Sequence, residues 1–128
     1  MRLTKENYVD HAEHVMKEIK KACDNDKKIP KLTTSKIRNL LSMTSDLYND
    51  ARHIVGDKLD SDMISRIQYL KMHYVYEAGR ERAVKNFIDQ AELLQVINEI
   101  ASSKENLILF CHYMEALVAY HRFYGGQD

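Results

Sequence analysis

The sequence predicts an all-α protein, a compact bundle of about five helices, and three observations support this fold class. The 128 residues include only four glycines and one proline, so the chain lacks the turn residues that many short strands would need. Apolar residues recur at helical three-residue and four-residue steps. Capping residues or glycines stand where these patterns begin and end. With 45% apolar and 30% charged residues, residues 1–128 fit one globular domain.

The first two helices are defined by an apolar face and by their caps. The first covers about residues 4 to 23. Its predicted core face consists of Tyr8, Ala12, Val15, Ile19 and Ala22. A polar loop over residues 24–31 follows. The second helix begins at Thr33 or Thr34, which are good N-caps, and we expect it to run to about residue 55 and to end at Gly56.

The third and fourth helices continue the same apolar spacing. We expect the third to begin at about residue 62 and to end or bend near Gly79. Its predicted core residues are Met63, Ile67, Leu70, Tyr74 and Ala78. The fourth covers about residues 84 to 101. Its predicted core residues are Phe87, Ile88, Ala91, Leu94, Ile97 and Ile100.

The last helix begins after Ser102, whose spacing to Glu105 matches a capping box. We expect it to end at about residue 124, before Gly125 and Gly126. One apolar side consists of Leu107, Phe110, Cys111, Met114, Leu117 and Val118, and a second side carries Tyr113, Tyr120 and Tyr124. A helix with two apolar sides is either central in a bundle or shared with a partner.

Several function classes are excluded because their motifs are absent. There is no apolar signal segment and no run of eighteen apolar residues, so we expect a cytoplasmic protein that does not contact a membrane. The two cysteines, Cys23 and Cys111, lack a C-x-x-C spacing and are expected to be packing residues. No HExxH, Glu-x-x-His or glycine-rich phosphate loop occurs. The sequence therefore predicts no catalytic residue, no metal site and no cofactor.

The charges are segregated along the chain although the net charge is zero. Residues 20–38 contain seven Lys or Arg and two Asp or Glu, and residues 66–85 contain five and two. The remaining segments are acidic. This pattern predicts one basic and one acidic surface, which fit a subunit that contacts both RNA and copies of itself. Ordinary solvated helix faces explain the same pattern equally well.

The start of the second helix has charges of the wrong sign for helix stability. Acidic residues are favoured in a first turn, yet Lys36 and Arg38 follow the hydroxyls of residues 33–35, and Lys31 precedes them. Free backbone N–H groups, hydroxyls and cations together suit a bound phosphate. The segment therefore points to nucleic acid, although simple capping accounts for the hydroxyls.

The third helix carries cations and rings along one face outside its core stripe. Arg66, Tyr69, His73, Tyr76 and Arg80 recur at alternating three-residue and four-residue steps. Such a face offers phosphate contacts and stacking surfaces to single-stranded nucleic acid. For Tyr69 and Tyr76 we instead expect packing against a neighbouring helix, with the arginines flanking them.

Three segments in order resemble a known family. They are LTTSKIRNLLSMTSDLY, YLKMHYVYEAGRERAVKNF and LILFCHYMEALVAYHRFYGGQD. They are similar to the small subunit of the type III-A CRISPR-Cas effector, the Csm complex, and the match covers residues 32 to 128. The resemblance implies an all-helical protein without nuclease activity, whose several copies stack head to tail. These copies support the CRISPR RNA and its paired target RNA beside the other subunits.

The resemblance also implies a set of RNA-contacting cations. Those that lie within or directly before the matching segments are Lys36, Arg38, Arg66, Lys71, Arg80 and Lys85. Arg82 and Arg122 are weaker candidates. Because the guide sequence changes with every spacer, we expect contacts to phosphate and ribose and no readout of base edges.

Two other functions fit parts of the sequence. A purely structural, homo-oligomeric helical adaptor with little nucleic-acid contact is supported by the last helix and the zero net charge. A DNA-binding regulator would need a short helix-turn-helix unit, and the long predicted helices contain none.

Overall fold

A computed structural model describes residues 2–125, and within that range it consists of six α-helices and no strand. The helices are α1 (Tyr8–Asn25), α2 (Thr34–Ala51), α3 (Ser61–Arg80), α4 (Arg82–Gln90), α5 (Leu93–Ile100) and α6 (Lys104–Phe123). The predicted all-α bundle is therefore confirmed, with one helix more than expected. None of the helices in this range has an apolar stretch long enough to cross a membrane.

The last helix, α6, lies at the centre of the bundle. Both of its apolar sides are used inside the chain, because α1, α2 and α5 all pack against it. Its buried residues are Leu107, Phe110, Cys111, Tyr113, Met114, Leu117 and His121. Of the predicted tyrosine side, Tyr113 is buried completely, and Tyr120 and Tyr124 are half-buried against the core.

Helix α1 runs parallel to α6. Near their first residues Lys5 Nζ lies 3.1 Å from a carboxylate oxygen of Glu105. Further along, the hydroxyl of Tyr124 donates a hydrogen bond of 3.3 Å to Glu13. The two helices therefore end on the same side of the bundle, although about a hundred residues separate the partners in sequence.

Helix α2 runs antiparallel to α6. Just before α2 begins, the carbonyl oxygen of Leu32 accepts a 2.8 Å hydrogen bond from Nε2 of the buried His121 at the end of α6. Towards the other end, the rings of Tyr48 and His112 lie with centroids 5.5 Å apart. The start of α2 therefore lies beside the ends of α1 and α6.

Helix α3 packs antiparallel to α2 around a buried polar cluster. The hydroxyl of Thr44 donates a 2.9 Å hydrogen bond to the carbonyl oxygen of Leu40. The hydroxyl of Tyr74 lies 2.5 Å from that of Thr44 and 3.3 Å from the same carbonyl. Burial raises the pKa of Tyr74, so its hydroxyl stays neutral and able to donate. The cluster pairs polar groups that burial would otherwise leave unsatisfied.

The predicted fourth helix over residues 84 to 101 is wrong as a single helix, because it divides into α4 and α5. The break lies at Glu92, whose φ of 55° is left-handed. It frees the carbonyl oxygen of Ala91, which accepts a 3.0 Å hydrogen bond from the buried hydroxyl of Tyr113 on α6. The bend keeps the apolar residues of both short helices in the core, and that tertiary packing offsets the unfavourable backbone conformation.

The other helix boundaries differ most from the predictions at two ends, the end of α2 and the start of α1. Helix α2 ends at Ala51, before the predicted residue 55, and Gly56 occupies a left-handed position in the following loop. Helix α1 begins at Tyr8 instead of residue 4, after a turn formed by residues 5–7. At α3, the predicted end near Gly79 is confirmed, since that helix ends at Arg80.

The predicted capping box at the start of α6 is also wrong. The cap is Ser103, whose hydroxyl accepts a 3.1 Å hydrogen bond from the backbone N–H of Asn106. The backbone N–H of Glu105 donates instead to the carboxylate of Asp57, in the loop between α2 and α3. A residue distant in sequence therefore completes this helix end. Gly126, part of the predicted stop signal, lies outside the described residues.

Removal of one buried hydroxyl tests the cluster between α2 and α3. We expect Tyr74→Phe to lower the free energy of unfolding by about 1–2 kcal/mol, because Thr44 loses a buried hydrogen-bond partner. Urea denaturation followed by circular dichroism measures the change. The control is Tyr69→Phe on the exposed side of α3, for which we expect less than about 0.5 kcal/mol. Equal effects of the two substitutions would contradict the buried hydrogen bond.

A glycine substitution tests the break between α4 and α5. We expect Glu92→Gly to raise the free energy of unfolding by about 0.5–1 kcal/mol. Glycine removes the steric cost of the left-handed conformation. Part of this gain is lost because glycine increases the conformational entropy of the unfolded chain. The matched control is Gln95→Gly, at an exposed helical position of α5, which should lower stability by about 1 kcal/mol. Thermal unfolding shows whether each substitution raises or lowers the stability. If both substitutions destabilise the protein, the left-handed conformation assigned to Glu92 is refuted.

Candidate nucleic-acid interface

The helix directions bring three basic segments to one end of the bundle. They are residues 20–38, 77–85 and 121–125, which we call the basic end. Together they contain eleven Lys or Arg and four Asp or Glu, whereas the rest of the chain contains eight and fifteen. A neutral protein therefore has a strongly positive end, and a positive field concentrated in this way attracts phosphates.

The hydroxyls at the start of α2 are used mainly within the fold. The side chain of Thr33 caps the helix by accepting a 3.4 Å hydrogen bond from the backbone N–H of Lys36. Thr34 is buried, and its hydroxyl has no hydrogen-bond partner among the described residues. The capping explanation for the hydroxyls is therefore correct at Thr33.

One ion pair joins the two basic segments that the sequence predicted separately. Lys36 Nζ lies 2.8 Å from a carboxylate oxygen of Glu81, between α3 and α4, and both side chains are a little over one-third exposed. The lysine holds the pKa of Glu81 below its usual range. The start of α2 and the junction of α3 and α4 therefore form one surface, a neighbourhood that the sequence did not establish.

Two other candidate cations on this surface have carboxylate partners on their own helix. Arg80 lies 3.3 Å from Glu77, and its guanidinium carbon is 5.6 Å from the ring centroid of Tyr76. Lys85 lies 2.8 Å from Asp89. Exposed ion pairs of this kind are worth little free energy, so each cation is able to exchange its carboxylate for a phosphate.

The structure separates Arg66 from the other candidates. It lies fourteen residues before Arg80 on α3, which corresponds to about 21 Å along the helix axis. Its guanidinium is 2.6 Å from the carboxylate of Asp50 on α2. Arg66 therefore lies outside the basic end, and a phosphate there would compete with an existing partner.

Arg38 and Lys71 complete the predicted set, and neither makes an ion pair within residues 2–125. Arg38 is exposed on the first turns of α2, at the basic end. Lys71 is half-buried near the middle of α3. Arg38 is therefore the candidate whose charge is most available to a ligand.

The exposed side of α3 is apolar in the part that lies between its arginines. Tyr69, Met72, Val75 and Tyr76 are each 50–60% exposed, and we call them the α3 stripe. The expectation that both tyrosines pack against a neighbouring helix is wrong, because Tyr69 and Tyr76 are each 60% exposed, whereas Tyr74 is the tyrosine that faces α2. The stripe is therefore an apolar surface that the described chain leaves uncovered.

Gly79 extends the accessible surface of α3 towards the basic end. A Cβ atom placed there would meet no atom within 4 Å, so internal packing does not require glycine. A glycine inside a helix costs about 1 kcal/mol relative to alanine. The position leaves the α3 backbone open to close approach from outside.

The two cysteines are packing residues, as predicted. Both are free and buried. Burial raises the pKa of Cys111 to about 12, so its thiol stays protonated near neutral pH. Among the described residues, no group of three or more His, Cys, Asp or Glu side chains is arranged to hold a metal ion.

Similar proteins identify the family. Residues 4–127 match the family described as Csm2 Type III-A. The chain is 48% identical over 126 residues, 98% of both chains, to "CRISPR system Cms protein Csm2" of Streptococcus thermophilus. Proteins of the same name from Mycobacterium tuberculosis (strain ATCC 25618 / H37Rv) and Enterococcus italicus are 40% identical over 97 residues and 36% identical over 99 residues. These matches cover 76% of this chain and 78% and 71% of those relatives.

This chain therefore belongs to the Csm2 family of type III-A CRISPR systems. The predicted resemblance to the small subunit of the Csm complex is confirmed, and the other subunits of that complex are its partners.

The ion pair between the two basic segments can be tested by titration. We expect Lys36→Met to raise the pKa of Glu81 towards its ordinary value, because the lysine is the main cause of the lowered pKa. Carbon-13 NMR of the Glu81 carboxyl as a function of pH measures this shift. Lys85→Met, which removes a neighbouring cation whose partner is Asp89, should leave Glu81 unchanged. If Glu81 titrates identically in the wild type and in Lys36→Met, this ion pair does not join the two segments.

Proposed function

We propose that this protein is a non-catalytic small subunit of a type III-A CRISPR RNA-guided complex that acts in antiviral defence in the cytoplasm. Several copies stack along the complex and support the CRISPR RNA and the target RNA through sequence-independent contacts to the backbone. The protein uses no metal and no cofactor. The single observation that carries the proposal is the basic end, where residues 20–38, 77–85 and 121–125 of a neutral chain bring surplus positive charge together.

The chemistry of the basic end suits phosphate rather than base edges. Its cations are long side chains at helix ends, and the pairs that Lys36, Arg80 and Lys85 make with carboxylates are at least one-third exposed on the cation side. Such cations contact an RNA backbone of any sequence and release its counterions. Since one neutral domain supplies few contacts, we expect weak RNA binding by the isolated chain and stronger binding by stacked copies.

The α3 stripe supports the contacts with protein that this function requires. Exposed tyrosine, methionine and valine side chains in one row have the composition of an interface core. A subunit that stacks against its own copies and against other subunits needs at least one such surface in addition to its RNA-contacting end.

A purely structural, homo-oligomeric adaptor is the second candidate function. The observation that favours it is the pairing of four of the six predicted RNA contacts, Lys36, Arg66, Arg80 and Lys85, with carboxylates of the same chain. In this case the cations would serve the fold, and the protein would contact other proteins almost exclusively.

Removal of two cations at the start of α2 tests the proposed function. We expect the double substitution Lys36→Ala and Arg38→Ala to weaken RNA binding by the assembled complex about equally for all RNA sequences. The slope of log affinity against log salt concentration should become shallower by roughly 0.7 for each lost contact to single-stranded RNA. Filter binding at several salt concentrations measures both effects.

The matched control removes two cations from the opposite end of the bundle. Lys5→Ala with Lys58→Ala produces the same change in net charge, near the start of α6, and should leave the affinity and slope unchanged. RNA crosslinking to the wild-type complex provides a second readout. Crosslinks absent from residues 31–38 and 66–85, together with unchanged binding by the double variant, would support the adaptor instead.

A further inference from the structure

The loop between α1 and α2 carries a second group of lysines at the basic end. The carboxylate of Asp24 accepts a 2.7 Å hydrogen bond from Lys20, which lowers its pKa, and the charges of Lys27 and Lys31 lower it further. The resemblance starts at residue 32, so it implies no role for these lysines, although Lys31 belongs to the phosphate site predicted at the start of α2. The charge count of residues 20–38 was the sequence signal that includes them.

The loop is anchored on both sides of its lysines. The carboxylate of Asp26 accepts a 3.0 Å hydrogen bond from the backbone N–H of Lys28, and its carbonyl accepts another from Ile29. Ile29 packs against the core, and Leu32 is buried and bonded through its carbonyl to His121. The lysines therefore extend from an ordered turn whose apolar residues face inward.

Lys27, Lys28 and Lys31 take part in none of the ion pairs of the described residues, although the charges of Lys27 and Lys31 act on Asp24 from a distance. All three are exposed, and none makes an ion pair within residues 2–125. The nearby carboxylate of Asp24 already pairs with Lys20. The loop thus carries a surplus of positive charge, in contrast to the paired cations of α3 and α4.

We propose that Lys27, Lys28 and Lys31, which we call the lysine loop, form a second phosphate-binding segment that contacts the same RNA backbone as Lys36 and Arg38. The proposal rests on the proposed function and extends it to residues before the family motifs. Continuity supports it, because only residues 32–35 separate the loop from Lys36, and Leu32 and Thr33 are both tied into the same end.

An acidic protein partner is the competing occupant, and the structure favours RNA. Protein interfaces depend on buried apolar or aromatic anchors, whereas the loop packs Ile29 against the core and its exposed side chains are all polar or charged. Flexible ammonium groups without an apolar neighbour suit a phosphate backbone, where each acts as a point charge.

The test compares two triple substitutions in the assembled complex. The loop variant removes the three charges of the lysine loop by the substitutions Lys27→Gln, Lys28→Gln and Lys31→Gln. The control variant removes three charges from the opposite end by the substitutions Lys5→Gln, Arg52→Gln and Lys58→Gln. We expect the loop variant to lose about tenfold in RNA affinity at 0.15 M salt, as for two lost phosphate contacts, with a shallower salt slope. The control should stay within about twofold of wild type.

Further measurements separate the outcomes. A Lys→Arg triple variant of the loop should retain wild-type affinity, and circular dichroism should show unchanged folding in all variants. The proposal is overturned if loop and control variants lose affinity equally, or if the loop variant changes subunit assembly while its RNA affinity stays the same. If the loop variant keeps its RNA affinity while the Lys36→Ala and Arg38→Ala variant loses affinity, the role of the lysine loop is refuted and the proposed function stands. If neither variant changes the RNA affinity, the proposed function is refuted.

Discussion

The need to bury both apolar sides of α6 positions the rest of the bundle. Helix α1 lies parallel to it and α2 antiparallel, so the end of α1 and the start of α2 meet where His121 bonds to Leu32. Helix α3 is in turn positioned by the buried polar cluster that it shares with α2. On the other side of α6, the hydroxyl of Tyr113 donates a hydrogen bond to the free carbonyl oxygen of Ala91, at the break between α4 and α5. The basic end is thus a consequence of hydrophobic packing, which brings like charges together at an electrostatic cost.

The fold class and most core positions were predictable because helical periodicity reports directly which side of each helix is apolar. Glu92 shows where this reasoning fails. The apolar residues from Phe87 to Ile100 fit one continuous period, and glutamate is not a helix breaker, so only tertiary packing and the Tyr113 hydroxyl reveal the break. The cap supplied by Asp57 was unpredictable for a similar reason, since it approaches α6 from a distant loop.

The candidate site was predictable in its composition and less so in its geometry. The excess of lysine and arginine in residues 20–38 is visible in the sequence, but the contact between Lys36 and Glu81 joins residues 45 positions apart and depends on how α2 and α3 pack. Tyrosine is ambiguous because its ring is apolar and its hydroxyl polar. The periodicity correctly placed Tyr74 inside, and the expectation of internal packing for Tyr69 was wrong.

The pairing of α1 with α6 has a consequence for biosynthesis. The apolar face of α1, with Ala12, Val15 and Ile19, emerges from the ribosome first, and its main partner is the last of the six helices to be made. Since α6 forms the centre of the core, we expect the bundle to close only after residues 104–123 are synthesised. Contacts between such distant residues slow folding and leave the apolar surface of the nascent chain exposed for longer.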